Sequence, residues 1–192
     1  MTIRKDSDKI FLDGRNLSEL DRFVCNVLDI ISKYTSYVIV SGYVAILFGR
    51  SRSTEDVDIL IPFCDISLFI KLHDELLENN YEFLNAEDSF GLFSILTSGS
   101  GVRLCEKDSF IPNIEIKFVK NESDDYSFQN RIPLIIADKN FYISPLEIQI
   151  AYKIWLGSEK DIEDALFLKE VTSDFIDEKL LQEFYSSFKV KL

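Results

Sequence analysis

The sequence predicts a mixed α/β (α+β) core followed by a C-terminal helical part. Three observations predict it. Short runs rich in β-branched residues, at 37–40 and 56–61, alternate with segments whose apolar residues recur at helical spacing. A further alternating strand pattern covers 114–119. From Ser144 onward the pattern is helical, which divides the chain into a core over residues 1–143 and a helical part over residues 144–192 packed on it.

Taken in order, Leu17, Leu20, Val24, Val27 and Ile31 place an amphipathic helix over 17–33, with Asn16 and Glu19 as its capping pair. Tyr37 to Val40 reads as a short strand, Gly42 ends it, and 43–49 suits a short helix. Residues 56–61 form the next strand. Asp65 then caps a helix to about residue 79, with Ile66, Ile70, His73 and Leu77 on one face. Residues 92–97 and 102–105 read as two strands joined by a Ser98–Gly101 hairpin turn, and Asp124, Asp125 and Glu122 as a solvated loop. Residues 133–137 and 141–143 are weaker strands, and 145–156, 160–171 and 175–188 are helices.

Composition narrows the function classes. The chain has 192 residues and a formal net charge of -12. Residues 1–64 hold 8 basic and 9 acidic side chains, whereas 65–192 hold 13 and 24, so a broad phosphate-binding surface is disfavoured beyond the first third. No apolar run is long enough to span a membrane, and the charged start does not read as a signal peptide. Three scattered cysteines without a CxxC pair fit a reduced, cytoplasmic protein and no cysteine zinc site. His73 is the only histidine, which disfavours a Ser-His-Asp triad and reads as a partly buried, hydrogen-bonded residue. Tyr152 and Trp155 read as packing between the C-terminal helices.

The informative stretch runs from Ser41 to Ile61. Asp56 and Asp58 are two apart on a strand and point to one face, with Val57, Ile59 and Ile61 on the other. Two carboxylates so placed repel each other, and a hard divalent cation such as Mg²⁺ offsets that. Gly42, between strand and helix, lets backbone N–H groups approach a phosphate. Arg50 and Arg52 lie between and can balance a polyphosphate. Glu115, with Lys117 beside it on one face of the 114–119 strand, is the candidate third acid for a second metal ion and for activating an attacking hydroxyl.

The segment Gly42…Gly49-Arg50-x-Arg52-x-Thr54-x-Asp56-x-Asp58 resembles the signature of the nucleotidyltransferase superfamily, the DNA polymerase β-like fold, nearest to minimal AbiEii-type bacterial and archaeal members. Glu147 to Lys153 and then Glu159 to Asp164 resemble that group's late lysine and K-D-x-x-D motif. The resemblance covers about residues 17–171. It implies a small mixed sheet flanked by helices. It implies Asp56, Asp58 and Glu115 as metal and catalytic residues with one or two Mg²⁺ ions. Gly42, Tyr43, Arg50, Arg52, Thr54, Lys153 and Asp161 would then surround an NTP, with Asp161 setting the position of Lys153.

The implied reaction moves an NMP from the NTP to a hydroxyl of a tRNA, a protein or a small molecule and releases pyrophosphate. Tyr43 stands where the family has a small residue. A second reading is therefore a binding or regulatory module that keeps the fold without transfer, and a third is a toxin–antitoxin component with an antitoxin partner.

Overall fold

The computed structural model describes residues 1–190. The described residues build nine strands and eight α-helices. The strands are β1 Thr2–Asp6, β2 Lys9–Asp13, β3 Val38–Ile39, β4 Asp56–Ile61, β5 Tyr81–Phe83, β6 Val102–Glu106, β7 Asn113–Phe118, β8 Ile132–Ile136 and β9 Lys139–Ile143. The helices are α1 Glu19–Ile31, α2 Gly42–Leu47, α3 Ile66–Glu78, α4 Ser89–Thr97, α5 Glu122–Gln129, α6 Leu146–Leu156, α7 Glu159–Val171 and α8 Glu178–Ser187. One mixed sheet runs in the order β1-β2-β8-β9-β3-β4-β7-β6-β5.

The centre of the sheet places the acids. β4 runs parallel to β7, with Asp56 opposite Asn113 and Asp58 opposite Glu115. Val57, Ile59, Ile61, Ile114 and Ile116 all point to the other face, each is fully buried, and they share one hydrophobic cluster with residues of α1, α3 and α4. Each such side chain contributes about 1.5–3 kcal/mol of burial. The polar face closes further along, where Leu60 packs with Val38 and Phe128 of α5. Leu146, Ile150, Ala165, Leu168 and Leu181 belong to the same hydrophobic cluster as the strands, and α7 packs against α2 and α6.

Four expectations are corrected. Residues 89–97 form α4 rather than a strand: Asp88 caps Gly91 N–H, and Leu92 and Leu96, four apart, take the buried side. Ser98–Gly101 is thus a helix-to-strand loop. Residues 122–129 form α5, capped by Asn121, where a solvated loop was expected. The capping box of α1 is Ser18 with Asp21, not Asn16 with Glu19. On α3 the buried face is Phe69, Leu72, His73 and Leu76, while Leu77 is exposed. His73 stacks on Phe83 and shares a hydrogen bond with Asp74. The β1–β2 hairpin was not legible, because its strands are polar and mostly exposed and join the sheet through backbone pairing with β8.

Candidate active site

β3 ends at a turn whose backbone is strained. Ser41 has φ +65 and ψ -142, a region that non-glycine residues enter at a cost of about 1–3 kcal/mol. Gln149 of α6 supports the turn by donating from Nε2 to the Ser41 carbonyl at 3.0 Å. Gly42 follows because there is no room for a side chain: a Cβ there would lie 2.0 Å from Arg52 Nη2.

Two cavities meet at this turn, and Ser41 and Asp58 line both. The smaller, about 190 Å³, is polar: Gly42, Arg52, Thr54, Asp56, Lys153, Ser158, Lys160 and Asp161 complete it. The larger, about 310 Å³, is mixed, with Leu60, Lys117, Phe118, Lys120, Asp124 and Tyr152 among its walls. Tyr152 and Trp155 are 40% and 52% exposed, so they pack on Phe188 of the α8 end at the surface, not in the core.

Asp56 is oriented by Thr54, whose Oγ1 donates to the Asp56 carbonyl at 2.8 Å and lies 3.3 Å from its Oδ1. Asp58 Oδ1 accepts from Lys117 Nζ at 2.8 Å, and the same ammonium lies 2.6 Å from Glu115 Oε2. Burial lowers the Lys117 pKa, but the two carboxylates outweigh it and hold it above its ordinary value. Glu115 folds over Gly101, where a Cβ would come within 2.7 Å of its Cγ, and Arg103 Nε lies 3.8 Å from its Oε1. Asp56 and Asp58 thus face one cavity together. Glu115 stands beside Asp58 but turns to Lys117.

Among the described residues, no three His, Cys, Asp or Glu side chains are grouped to hold a metal ion. The Asp56–Asp58 pair still suits one Mg²⁺, whose shell is commonly one or two carboxylates completed by phosphate oxygens and water.

Lys153 is 1% exposed, and its Nζ reaches Asp161 Oδ1 at 3.0 Å and Asp164 Oδ2 at 2.9 Å. Burial raises the Asp161 pKa, but hydrogen bonds from Ser158 and Lys153 outweigh it and leave the group below its ordinary value. Arg52 closes on Asp164 with two bonds, at 3.0 and 2.9 Å, and Arg50 Nε lies 2.7 Å from the same carboxylate. Arg50 lines neither cavity; it also pairs with Glu163.

Asp164 is therefore the hub that sequence reasoning missed. Its place in the late motif is the only signal for it in the sequence. Lys117 and Gln149 were missed for a similar reason, since each acts on a residue far away in sequence.

Tyr43 does not enter the cleft. It is 1% exposed, and its hydroxyl donates to Asp21 Oδ1 at 2.6 Å, while Arg15 binds the same carboxylate at 2.9 Å. Burial and the Asp21 charge push the phenol pKa far upward. Only its backbone borders the turn, so the side chain that prompted the second reading is a core residue.

The fold has solved counterparts. A lincomycin-bound lincosamide antibiotic adenylyltransferase, LnuA, aligns over 82% of this chain and 100% of its own, with 17% identity and a TM-score of 0.56. ANT(2'')-Ia in complex with adenylyl-2''-tobramycin aligns over 90% of this chain and 98% of its own, with 12% identity and a TM-score of 0.56. The chain has the nucleotidyltransferase fold. The solution structure of the antibiotic-resistance factor ANT(2'')-Ia agrees, at 11% identity, 88% and 90% coverage and a TM-score of 0.52. No family model and no curated protein matches the sequence. In this nucleotidyltransferase fold the two cavities flank the β4 carboxylates. No helix among the described residues is long and apolar enough to cross a membrane.

Proposed function

We propose that this chain transfers a nucleoside monophosphate from an NTP to a hydroxyl group of a small-molecule acceptor, releasing pyrophosphate. One observation carries the reading: Asp58 is shared by a polar cavity behind the glycine turn and a larger, mixed cavity beside it. The polar cavity suits the triphosphate, with Gly42 presenting backbone and Lys160 exposed at its wall. The larger cavity, about 310 Å³, is at the small end of the range for small-ligand sites. The net charge of -12 argues against a tRNA acceptor.

A Mg²⁺ held by Asp56 and Asp58 would neutralise phosphate charge and make the α-phosphorus more electrophilic. Thr54 keeps Asp56 aimed at the cavity. Glu115, next to Asp58 but lining neither cavity, is the proposed acceptor of the hydroxyl proton. The acceptor oxygen bonds to the α-phosphorus, the bond to the β-phosphate oxygen breaks, and pyrophosphate leaves. The adenylyltransferase and adenylyl-tobramycin neighbours make lincosamides and aminoglycosides the first acceptors to try.

The test incubates purified protein with Mg²⁺, each labelled NTP and a panel of lincosamides, aminoglycosides and tRNA. Label on a small molecule and loss of transfer in Asp58→Asn, with the fold retained by circular dichroism, are expected. Undiminished transfer by the variant, or label on tRNA alone, overturns the proposal. Failure to bind any NTP would favour a module without transfer.

A further inference from the structure

The Asp58–Glu115 pair is a register pair on adjacent parallel strands, and like charges so placed destabilise the sheet unless something lies between them. Here Lys117 does. It starts two residues beyond Glu115, opposite Leu60, and leans back along the strand so that one ammonium meets both carboxylates, at 2.8 and 2.6 Å.

The Asp58 and Glu115 side chains are each 17% exposed and that of Lys117 37%, so the carboxylates are sheltered while the lysine keeps one side to solvent. An ion bridging these oxygens would need Mg–O distances of about 2.0–2.1 Å and could not share the place with the ammonium.

We propose that Lys117 is the resident cation of this site. It occupies the position between Asp58 and Glu115 that a second divalent ion would take, so the site holds one divalent ion rather than two. Asp58 then offers Oδ1 to Lys117 and its other oxygen to the cavity it shares with Asp56. Glu115 is then left free of metal and paired with Lys117. The inference rests on the nucleotidyl-transfer reading for the nucleotide that completes the first metal's shell, and on geometry alone for the place that Lys117 fills.

The experiment counts bound Mn²⁺ from the free-ion electron paramagnetic resonance signal, in the wild type, Lys117→Met and Lys117→Arg. One arm uses Mn²⁺ alone and the other adds a non-hydrolysable ATP analogue. With the analogue, one Mn²⁺ per wild-type chain is expected, two spin-coupled ions in Lys117→Met, and one again in Lys117→Arg. With Mn²⁺ alone, Lys117→Met should bind at least about tenfold more tightly than the wild type, the size expected when a fixed like charge of about 1.4 kcal/mol is removed.

Two ions in the wild type, or equal Mn²⁺ affinity in wild type and Lys117→Met without nucleotide, overturns the proposal. If no variant binds the analogue, the transfer reading fails, and the Mn²⁺-only arm still decides the role of Lys117. Circular dichroism checks that Lys117→Met is folded. Should it not fold, the wild-type ion count with the analogue decides, one ion supporting the proposal and two overturning it.

Discussion

Lys153 and Asp164 form a buried ion pair, Nζ to Oδ2 at 2.9 Å, between two consecutive helices. Both are almost wholly shielded from water. Arg50 and Arg52, from the loop after α2, converge on the same carboxylate, so one aspartate ties α6 and α7 to the turn that shapes the polar cavity.

Asp164→Asn should therefore be costly. It removes the carboxylate that three cations share, leaving Lys153 to Asp161, Arg50 to Glu163 and Arg52 without an acidic partner, and breaking such a buried network typically costs about 3–5 kcal/mol. Urea unfolding monitored by tryptophan fluorescence measures it. A loss below about 1 kcal/mol would place these pairs in the class of weak surface contacts.

Gly42→Ala should couple to Arg52. The new Cβ would meet Arg52 Nη2 at 2.0 Å, and that guanidinium can retreat only by releasing Asp164. Overpacking of this kind costs about 1–3 kcal/mol. In an Arg52→Ala background the penalty should shrink, giving a coupling of about 0.5–3 kcal/mol in a double-mutant cycle. Equal losses in both backgrounds would show that the glycine is needed for another reason.

Asp21 should set part of the acid sensitivity. Burial raises its pKa, but hydrogen bonds from Tyr43, Arg15 and the Ser18 backbone outweigh burial and hold it below the ordinary 3.8. The folded value is thus lower than the unfolded one. The stabilisation is present above the unfolded pKa and is lost as pH falls through the folded pKa. Unfolding free energies measured from about pH 6 down to about pH 2 should fall more steeply for wild type than for Asp21→Asn. Tyr43→Phe should cost about 1.5–3 kcal/mol at neutral pH, the range for a hydrogen bond to a charged group, and leave nucleotide affinity unchanged. A weakened affinity would place the Tyr43 hydroxyl in the cleft after all.

The legible parts of the fold had two agreeing local signals. Asp56–Ile61 combined β-branched residues with alternation up to Ile59, and Ile66–Glu78 combined an Asp65 cap with helical spacing; both form as a strand and a helix, though the buried face of the helix differs. Residues 89–97 gave conflicting signals. Their apolar side chains surround the helix, with Phe90 exposed and Phe93 packed against Phe63, Phe69 and Phe118, so no period stood out. Only the Asp88 cap separates helix from strand there. The β1–β2 hairpin has the opposite difficulty, since its strands carry few buried side chains and are held by pairing with β8, a segment more than a hundred residues later.

The sequence by itself determined the sidedness of the site. A strand repeats every two residues, so Asp56 and Asp58 had to share one face of their strand and Glu115 and Lys117 one face of theirs, and Gly42 had to sit at the turn before the aspartates. Strand period says nothing about which strand lies alongside or in what register. The parallel pairing of β4 with β7 put Glu115 opposite Asp58 and brought Lys117 between the two carboxylates. In the same way, helix packing turned Tyr43 into the core and gathered Arg50, Arg52 and Lys153 around Asp164. A charge finds its partner through space, and only the tertiary structure sets which charges become neighbours.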